Sequence, residues 1–248
     1  MLCPSGIFSH LIASPKTLTL KPFDDKSSAV QAMFGAIAGR YDLANHLLSG
    51  GLDILWRQHA ARSLRAWSPR RILDLATGSG DLALTLRSAC PEALVVGGDF
   101  CPPMLRIARR KGLEALVAAD GLRLPFAEGS FDAVTIAFGL RNMASWDRGL
   151  AEMRRVLRPG GHVLVLDFSI PKPPLRWIYG PYLHHVLPRL AALVTGQKAA
   201  YDYLGDSIEQ FPQGAAMCDL IRAAGFVDAR CQPMTGGIVT LYTATRSE

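Results

Sequence analysis

The run Arg71-Ile72-Leu73-Asp74-Leu75-Ala76-Thr77-Gly78-Ser79-Gly80-Asp81 carries an apolar strand into a turn with two glycines and then into a helix. Glycine at 78 and 80 lets backbone come close to a ligand, and such a turn opening a helix suits a nucleotide. The second strand, Leu94 to Gly98, ends at Asp99, roughly twenty residues after the turn, where a carboxylate can accept hydrogen bonds from both ribose hydroxyls of an adenosine. Asp99 can equally cap the helix that follows it. A third strand, Leu116 to Ala119, ends at Asp120 ahead of Gly121, and an acid there can reach an adenine amino group. The ligand implied is an adenosine compound rather than a phosphate alone. Counted from Gly78 the pattern is also G-x-G-x-x-A, with Gly80 and Ala83, which a dinucleotide-dependent dehydrogenase shares.

The elements that must position these residues follow from periodicity and punctuation. Ser27 to Arg40 has helical spacing after a serine cap, and Leu52 to Leu64 resumes that pattern after Gly50-Gly51. A fourth strand runs over Gly129 to Phe138, and Pro159-Gly160-Gly161 turns a helix into a fifth, His162 to Phe168. A helix from Gln213 to Ala224 and two strands, near Phe226 to Cys231 and Ile238 to Thr245, close the chain, with Gly225 and Gly236-Gly237 as turn positions. Five strands alternating with helices at short spacing predict an α/β fold with a doubly wound parallel sheet, which the two last strands bring to about seven strands. Pro171-Lys172-Pro173-Pro174 breaks regular structure, and the apolar, aromatic stretch Leu175 to Val194 reads either as a lid or as an ordinary pair of core helices.

With 248 residues, 49% hydrophobic and 19% charged, the chain reads as one large domain over residues 27–248, with a lid insertion at about 171–212. Residues 1–26 read as a disordered extension. The net charge of +6 would suit an anionic partner, but the arginines are spread along the chain, which argues against nucleic acid. Five cysteines without a C-x-x-C pair indicate neither a disulfide framework nor a zinc site, so no metal is expected and a reducing cytoplasm fits. No run of eighteen apolar residues predicts a transmembrane helix.

The succession DLATGSGDL, GGDFCPPML, AADGLRLPF, SFDAVTIAFGLRN and EMRRVLRPGGHVLVLDF resembles a class I S-adenosylmethionine-dependent methyltransferase. More narrowly, FGAIAGRYDLANHLLSGGLDILWR, FGLRN and YDYLGDSIEQFPQG resemble the ubiquinone/menaquinone biosynthesis C-methyltransferase family, over about residues 30 to 245. The resemblance implies S-adenosylmethionine as cosubstrate, contacted by Ser79 in the glycine turn, Asp99, Asp120 and Gly121, with Gly78 and Gly80 shaping the turn. Many relatives have Thr where this chain has Ser79, and both offer a hydroxyl. Ala137 stands where some relatives have Ser, which removes one hydroxyl contact.

A sulfonium brings its own electrophile, so the protein has to align a carbon nucleophile with the methyl-sulfur bond and keep water out. A reduced quinone ring becomes nucleophilic when a neighbouring hydroxyl loses its proton. Arg141 and Asn142, directly beyond the fourth strand, are the candidate catalytic residues for the substrate oxygen. Asp147, Glu152 and His162 read as structural; His184, His185, Tyr201, Asp202 and Tyr203 stay open between substrate contact and packing. The function implied is C-methylation of a prenylated hydroquinone, demethylmenaquinol to menaquinol, since Leu-Asp after the glycine pair looks closer to the menaquinone type. The benzoquinol of the ubiquinone pathway and another small molecule are the alternatives. A prenylated partner and the apolar Leu175–Val194 stretch suggest transient contact with the inner membrane surface. Oligomeric state is left open, a homodimer included.

Overall fold

The computed structural model describes residues 31–33, 35, 42, 46, 48–190 and 198–248, with side chains of 198–202 excepted. The extension over 1–26, Tyr41 and most of the helix expected over Ser27–Arg40 lie outside these residues, as do the last positions of the Leu175–Val194 stretch. The described chain forms α1 (Leu52–Arg65), β1 (Arg71–Leu75), α2 (Asp81–Ala89), β2 (Leu94–Asp99), α3 (Pro102–Arg110), β3 (Leu116–Ala118) and β4 (Phe131–Ala137). It continues with α4 (Trp146–Val156), β5 (Leu157–Phe168), α5 (Leu175–Pro181), α6 (Lys198–Gln210), α7 (Ala215–Ala223), β6 (Phe226–Met234) and β7 (Val239–Arg246).

One seven-stranded sheet has the order β3-β2-β1-β4-β5-β7-β6. The first five strands pair in parallel, as expected, but β7 runs antiparallel to β5 and β6 antiparallel to β7. The sheet is therefore mixed. The reason is local: the short connection Thr235–Gly237 between β6 and β7 leaves room for a hairpin and none for a crossover helix. The fifth strand begins at Leu157, five residues before its expected start, because Leu157 already pairs with Phe131 before the register shifts and Ala133 meets His162.

Both faces of the sheet are covered, which explains why its strands read as continuous apolar runs rather than as alternation. Leu73, Val134 and Val163 face one way and pack with Leu150, Met153 and Ile221 from α4 and α7. Their chain neighbours Ile72, Ala133 and Leu164 face the other way and pack with Ala61, Leu64 and Leu86 from α1 and α2. A smaller cluster of Tyr179, Leu183, Leu187 and Ile208 sits apart from these two, where α5 and the turns after it meet α6. Chain order reverses between β1 and β4, the place where an open α/β sheet leaves a crevice at the carboxyl ends of its strands. The glycine turn after β1 and the Phe138–Asn142 corner after β4 form the two sides of that crevice.

Candidate active site

The turn after β1 is held by hydrogen bonds before any ligand is considered. Thr77 N–H donates to Gly98 O at 3.1 Å and Gly80 N–H to Thr77 O at 2.9 Å, which fixes the loop against β2. Gly80 sits at φ +86° as the residue preceding α2, and a Cβ there would meet Ala108 Cβ of α3 at 3.0 Å. A left-handed conformation and a helix-to-helix approach thus both require glycine at this position. Asp99, 5% exposed, accepts hydrogen bonds from Gly78 N–H and Cys101 N–H at 2.8 Å each. It is an anchor of the turn as well as a candidate ribose acceptor, and the capping and ligand readings of this residue coexist. Burial pushes its carboxyl up to about 6, against the pull of those N–H groups.

A narrow trench runs from Asp99 past Phe100 to Asp120 and Gly121, walled opposite by Gly139, Asn142 and Met143. Asp120 Oδ1 accepts from Leu122 N–H at 2.9 Å, which leaves the other oxygen for a ligand. Two carboxylates at successive strand ends, along one crevice, are the arrangement an adenosine needs: ribose hydroxyls on one, an exocyclic amine on the other. The residues present fit that group. The trench continues past Gly78, Cys101 and Met104 to a pocket around the glycine turn, lined by Arg57, Asp74, Thr77, Ser79 and Asp81.

Ser79 is buried and its hydroxyl donates to Asp42 Oδ1 at 2.5 Å. Asp42 also pairs with Lys111 at 2.5 Å, and Lys111 pairs with Asp81 at 2.6 Å. This chain of charges ties the segment before α1 to the glycine turn. Asp74 was not singled out by sequence reasoning, because within the strand it looks like an isolated polar interruption. It is 1% exposed and accepts from Thr77 Oγ1 at 2.6 Å and Thr135 Oγ1 at 2.7 Å. Burial raises its carboxyl to about 6, although both hydroxyls oppose the shift.

Beside the trench lies a cavity of about 380 Å³ with an apolar wall. Trp56, Phe138 and Phe168 form one side, with ring centroids 6.2 Å apart for Trp56–Phe138 and 4.6 Å apart for Phe138–Phe168. Ile178, Tyr179, Leu183 and Leu187, all from the stretch read as lid or core pair, form the other. Phe138 and Asn142 line both the cavity and the trench, so the two spaces meet at the corner after β4. Phe138 stands at φ +57°, a strained conformation for a non-glycine residue, at that junction.

Arg141 and Asn142 both face the cavity, in the 3-10 turn Leu140–Asn142. Arg141 is buried, and its Nη1 donates to Asp167 Oδ1 at 2.7 Å and Phe138 O at 2.6 Å. Its guanidinium carbon lies 5.3 Å from the Phe168 ring centroid, and its Nε has no partner among the described residues. Asn142 Nδ2 donates to Phe138 O at 3.2 Å, while Oδ1 is buried and has no partner among the described residues. Two orphan polar atoms in an apolar wall mark a place for a polar ligand group. Asp167, wholly buried and pushed up by burial against the pull of Arg141, was hidden in the sequence by the apolar strand around it.

The residues read as structural have structural partners. His162 stacks on Trp67 at 4.4 Å, Glu152 accepts from Leu124 N–H at 2.8 Å, and Asp147 accepts from Ser145 at the start of α4. His184 pairs with Glu209 at 2.9 Å outside the cavity lining. Tyr203 lines the cavity, its hydroxyl without a partner among the described residues; the side chains of Tyr201 and Asp202 lie outside them.

Comparison with known proteins bears on this geometry. The sequence model of the ubiE/COQ5 methyltransferase family matches residues 23–246. A demethylmenaquinone methyltransferase from Deinococcus radiodurans is 46% identical over 90% of this chain and 94% of its own. Another of that name from Thermus thermophilus is 49% identical over 86% of this chain and 100% of its own. A ubiquinone/menaquinone biosynthesis C-methyltransferase from a Geobacter species is 41% identical over 90% and 98%. Among solved structures, a SAM-dependent methyltransferase from Thermotoga maritima has the same fold, with a TM-score of 0.63 at 18% identity over 87% of this chain and 99% of that one. Human N-acetylserotonin methyltransferase in complex with SAM gives 0.61 at 19% identity over 88% and 59%.

The raised carboxyl of Asp74 has a defined effect on stability. Its folded value of about 6 exceeds the reference of 3.8, so between these pH values the folded state holds a proton that the unfolded state has released. Stability contributed by the protonated form is present below pH 3.8 and lost as pH rises through 6. Urea midpoints of the wild type should therefore fall relative to those of Asp74→Asn between pH 4 and pH 7, since asparagine can still bond both threonine hydroxyls. Parallel midpoints across that range would show that Asp74 is ionised in the fold.

Proposed function

The chain belongs to the ubiE/COQ5 methyltransferase family, and from that premise we propose that it methylates a ring carbon of a prenylated hydroquinone, converting demethylmenaquinol to menaquinol with S-adenosylmethionine as donor. The observation that carries the reading is the apolar cavity that shares Phe138 and Asn142 with the trench as common lining. A fused ring and the first part of a prenyl tail need such a wall, and a polar acceptor would not. The relatives named demethylmenaquinone methyltransferase support the naphthoquinol over the benzoquinol. Family membership removes the dehydrogenase reading of the glycine pattern.

When bound, S-adenosylmethionine supplies an electrophilic methyl group on a sulfonium. Asp99 accepts from the ribose hydroxyls, Asp120 from the adenine amine, and the glycine turn keeps backbone close to the remainder. Trp56, Phe138 and Phe168 hold the quinol ring and exclude water, which favours attack by carbon over loss of the methyl group to solvent. Arg141, fixed by Asp167, directs its free Nε at a quinol oxygen and favours the phenolate over the phenol; Asn142 Oδ1 accepts from a hydroxyl that stays protonated. As the ring carbon bonds to the methyl carbon, the methyl–sulfur bond would break with its electron pair staying on sulfur, S-adenosylhomocysteine would be the leaving group, and the proton on that ring carbon would pass to water, which restores the aromatic ring.

The described part of the segment at about 171–212 serves as the lid of this cavity, through Ile178, Leu183, Leu187 and Ile208. Trp177 and Ile178 on it are 71% and 73% exposed, beside Lys172 and Arg176, which supports transient contact with the inner membrane surface by an enzyme working in the cytoplasm. Among the described residues no helix is long and apolar enough to cross a membrane.

Labelled S-adenosylmethionine supplied with reduced demethylmenaquinone or the demethyl benzoquinol in detergent should pass its label to the naphthoquinol. Transfer to the benzoquinol alone would move the enzyme to the ubiquinone pathway, and transfer to neither would remove quinols as the substrate class. Asp99→Ala should weaken S-adenosylhomocysteine by roughly tenfold or more and lower the melting temperature, because it removes the ribose acceptor and strips Gly78 and Cys101 N–H of theirs. Unchanged affinity in a folded variant would take Asp99 out of the ribose site. For Arg141→Ala, a loss of about 3–5 kcal/mol in stability is expected in urea titration, since Asp167 is left buried without its partner.

A further inference from the structure

Arg57 has no role in the reading above, yet it is built into the site with care. It lies on α1, is 7% exposed, and lines both the pocket at the glycine turn and the apolar cavity. Asp53, one turn earlier and 3% exposed, holds its Nη1 in a short ion pair. Asp53 is itself positioned by Ser49, whose hydroxyl donates at 2.8 Å. Among the described residues Arg57 makes no other hydrogen bond: its Nη2 approaches Asp81 Oδ2 only to 3.8 Å. One edge of a buried guanidinium therefore faces the turn pocket with donors to spare.

The charges around that pocket are unequal. Asp74 and Asp81 line it, whereas Arg57 is the only basic residue among the described residues that do so. The nearby Lys111 is committed to Asp42 and Asp81. Gly80 precedes α2 without any side-chain cap, so the N–H groups of the first turn of a nine-residue helix also open here. An anion is thus met by a helix start and one guanidinium, and a cation by Asp81, whose Oδ2 is not taken by Lys111, while both oxygens of Asp74 accept from threonine hydroxyls. A zwitterion satisfies all of them at once, and an amino-acid group is the zwitterion that an adenosine ligand in the trench would extend into this pocket.

We propose that Arg57, aligned by Asp53 and joined by the start of α2, binds the α-carboxylate of the amino-acid end of S-adenosylmethionine. This rests on the reading of the trench as the adenosine site. Arg57 thereby sets which thioether nucleosides the enzyme retains: those with an amino-acid end are held, and those without one are let go. An arginine suits this better than a lysine, since one fork of the planar group can stay on Asp53 while the other meets the ligand.

Calorimetric titration with S-adenosylhomocysteine and with 5′-methylthioadenosine, which keeps the adenosine and the sulfur but lacks the amino-acid end, separates this subsite from the rest. The wild type should bind the first far more tightly. Removing the pair together in Asp53→Asn/Arg57→Met avoids leaving a buried charge alone, and Arg57→Lys keeps the charge while losing the fork. Both variants should lose between about tenfold and a hundredfold in affinity for S-adenosylhomocysteine. Affinity for 5′-methylthioadenosine should stay within about twofold, the double variant losing more than Arg57→Lys. Equal losses for both ligands would make Arg57 a structural residue and overturn the proposal. So would unchanged affinity for S-adenosylhomocysteine with a raised KM for the quinol, which would assign the guanidinium to the cavity. Should the wild type bind neither nucleoside, the adenosine reading itself fails, a result distinct from either of these.

Discussion

Taking Asp99 out of water at the end of β2 is unfavourable by itself, and it is offset because two backbone N–H groups, one from the glycine turn and one from the start of α3, point at its oxygens. That single carboxylate joins β1, β2 and the helix after β2 at the point where their polar ends would otherwise be bare. The position of Gly78, the mouth of the trench and the entry of α3 all depend on it. A neutral side chain of the same shape could not accept from both N–H groups.

Charge burial recurs around the site, twice as a linked ion pair. Asp167 with Arg141 and Asp53 with Arg57 each place a guanidinium against an aromatic ring, at 5.3 Å from Phe168 and 5.8 Å from Phe138. The two rings are themselves in contact, so the apolar wall of the cavity is bracketed by fixed cations. Such pairs add little to net stability and much to geometry, because each partner has one low-energy arrangement and breaking it strands a charge. The sheet supplies rigidity, while α1, α5 and α6 supply shape.

Much of this was legible in the residues. Continuous apolar strands, glycine at 78 and 80, and acids after β2 and β3 follow from backbone and ligand geometry that leaves few residue choices, and the structure puts all of them along one crevice. The direction of the last two strands was not legible, since period-two patterning is the same whichever way a strand runs. Asp74 and Asp167 were invisible because a single acid within an apolar strand has no pattern; only the hydroxyls and the arginine brought to it by other strands and turns explain its presence. Asp53 and Arg57 have the i and i+4 spacing that any surface ion pair of a helix has, and only the packing of α1 over the end of the sheet makes them part of a site. Ser79 could be recognised as a hydroxyl in the turn, but its partner Asp42 could not, because the contact spans 37 residues.

Phe138, Asn142 and Arg57 each line two spaces, one on the nucleoside side and one on the cavity side. Occupants of these spaces therefore share a partition one residue thick, whose strained corner at Phe138 has few conformations available to it. Any displacement of the partition caused by one occupant enters the binding free energy of the other, and thermodynamic reciprocity makes the two effects equal. Cooperativity between donor and acceptor, of either sign, is in this way a property of three side chains and requires no movement of the domain.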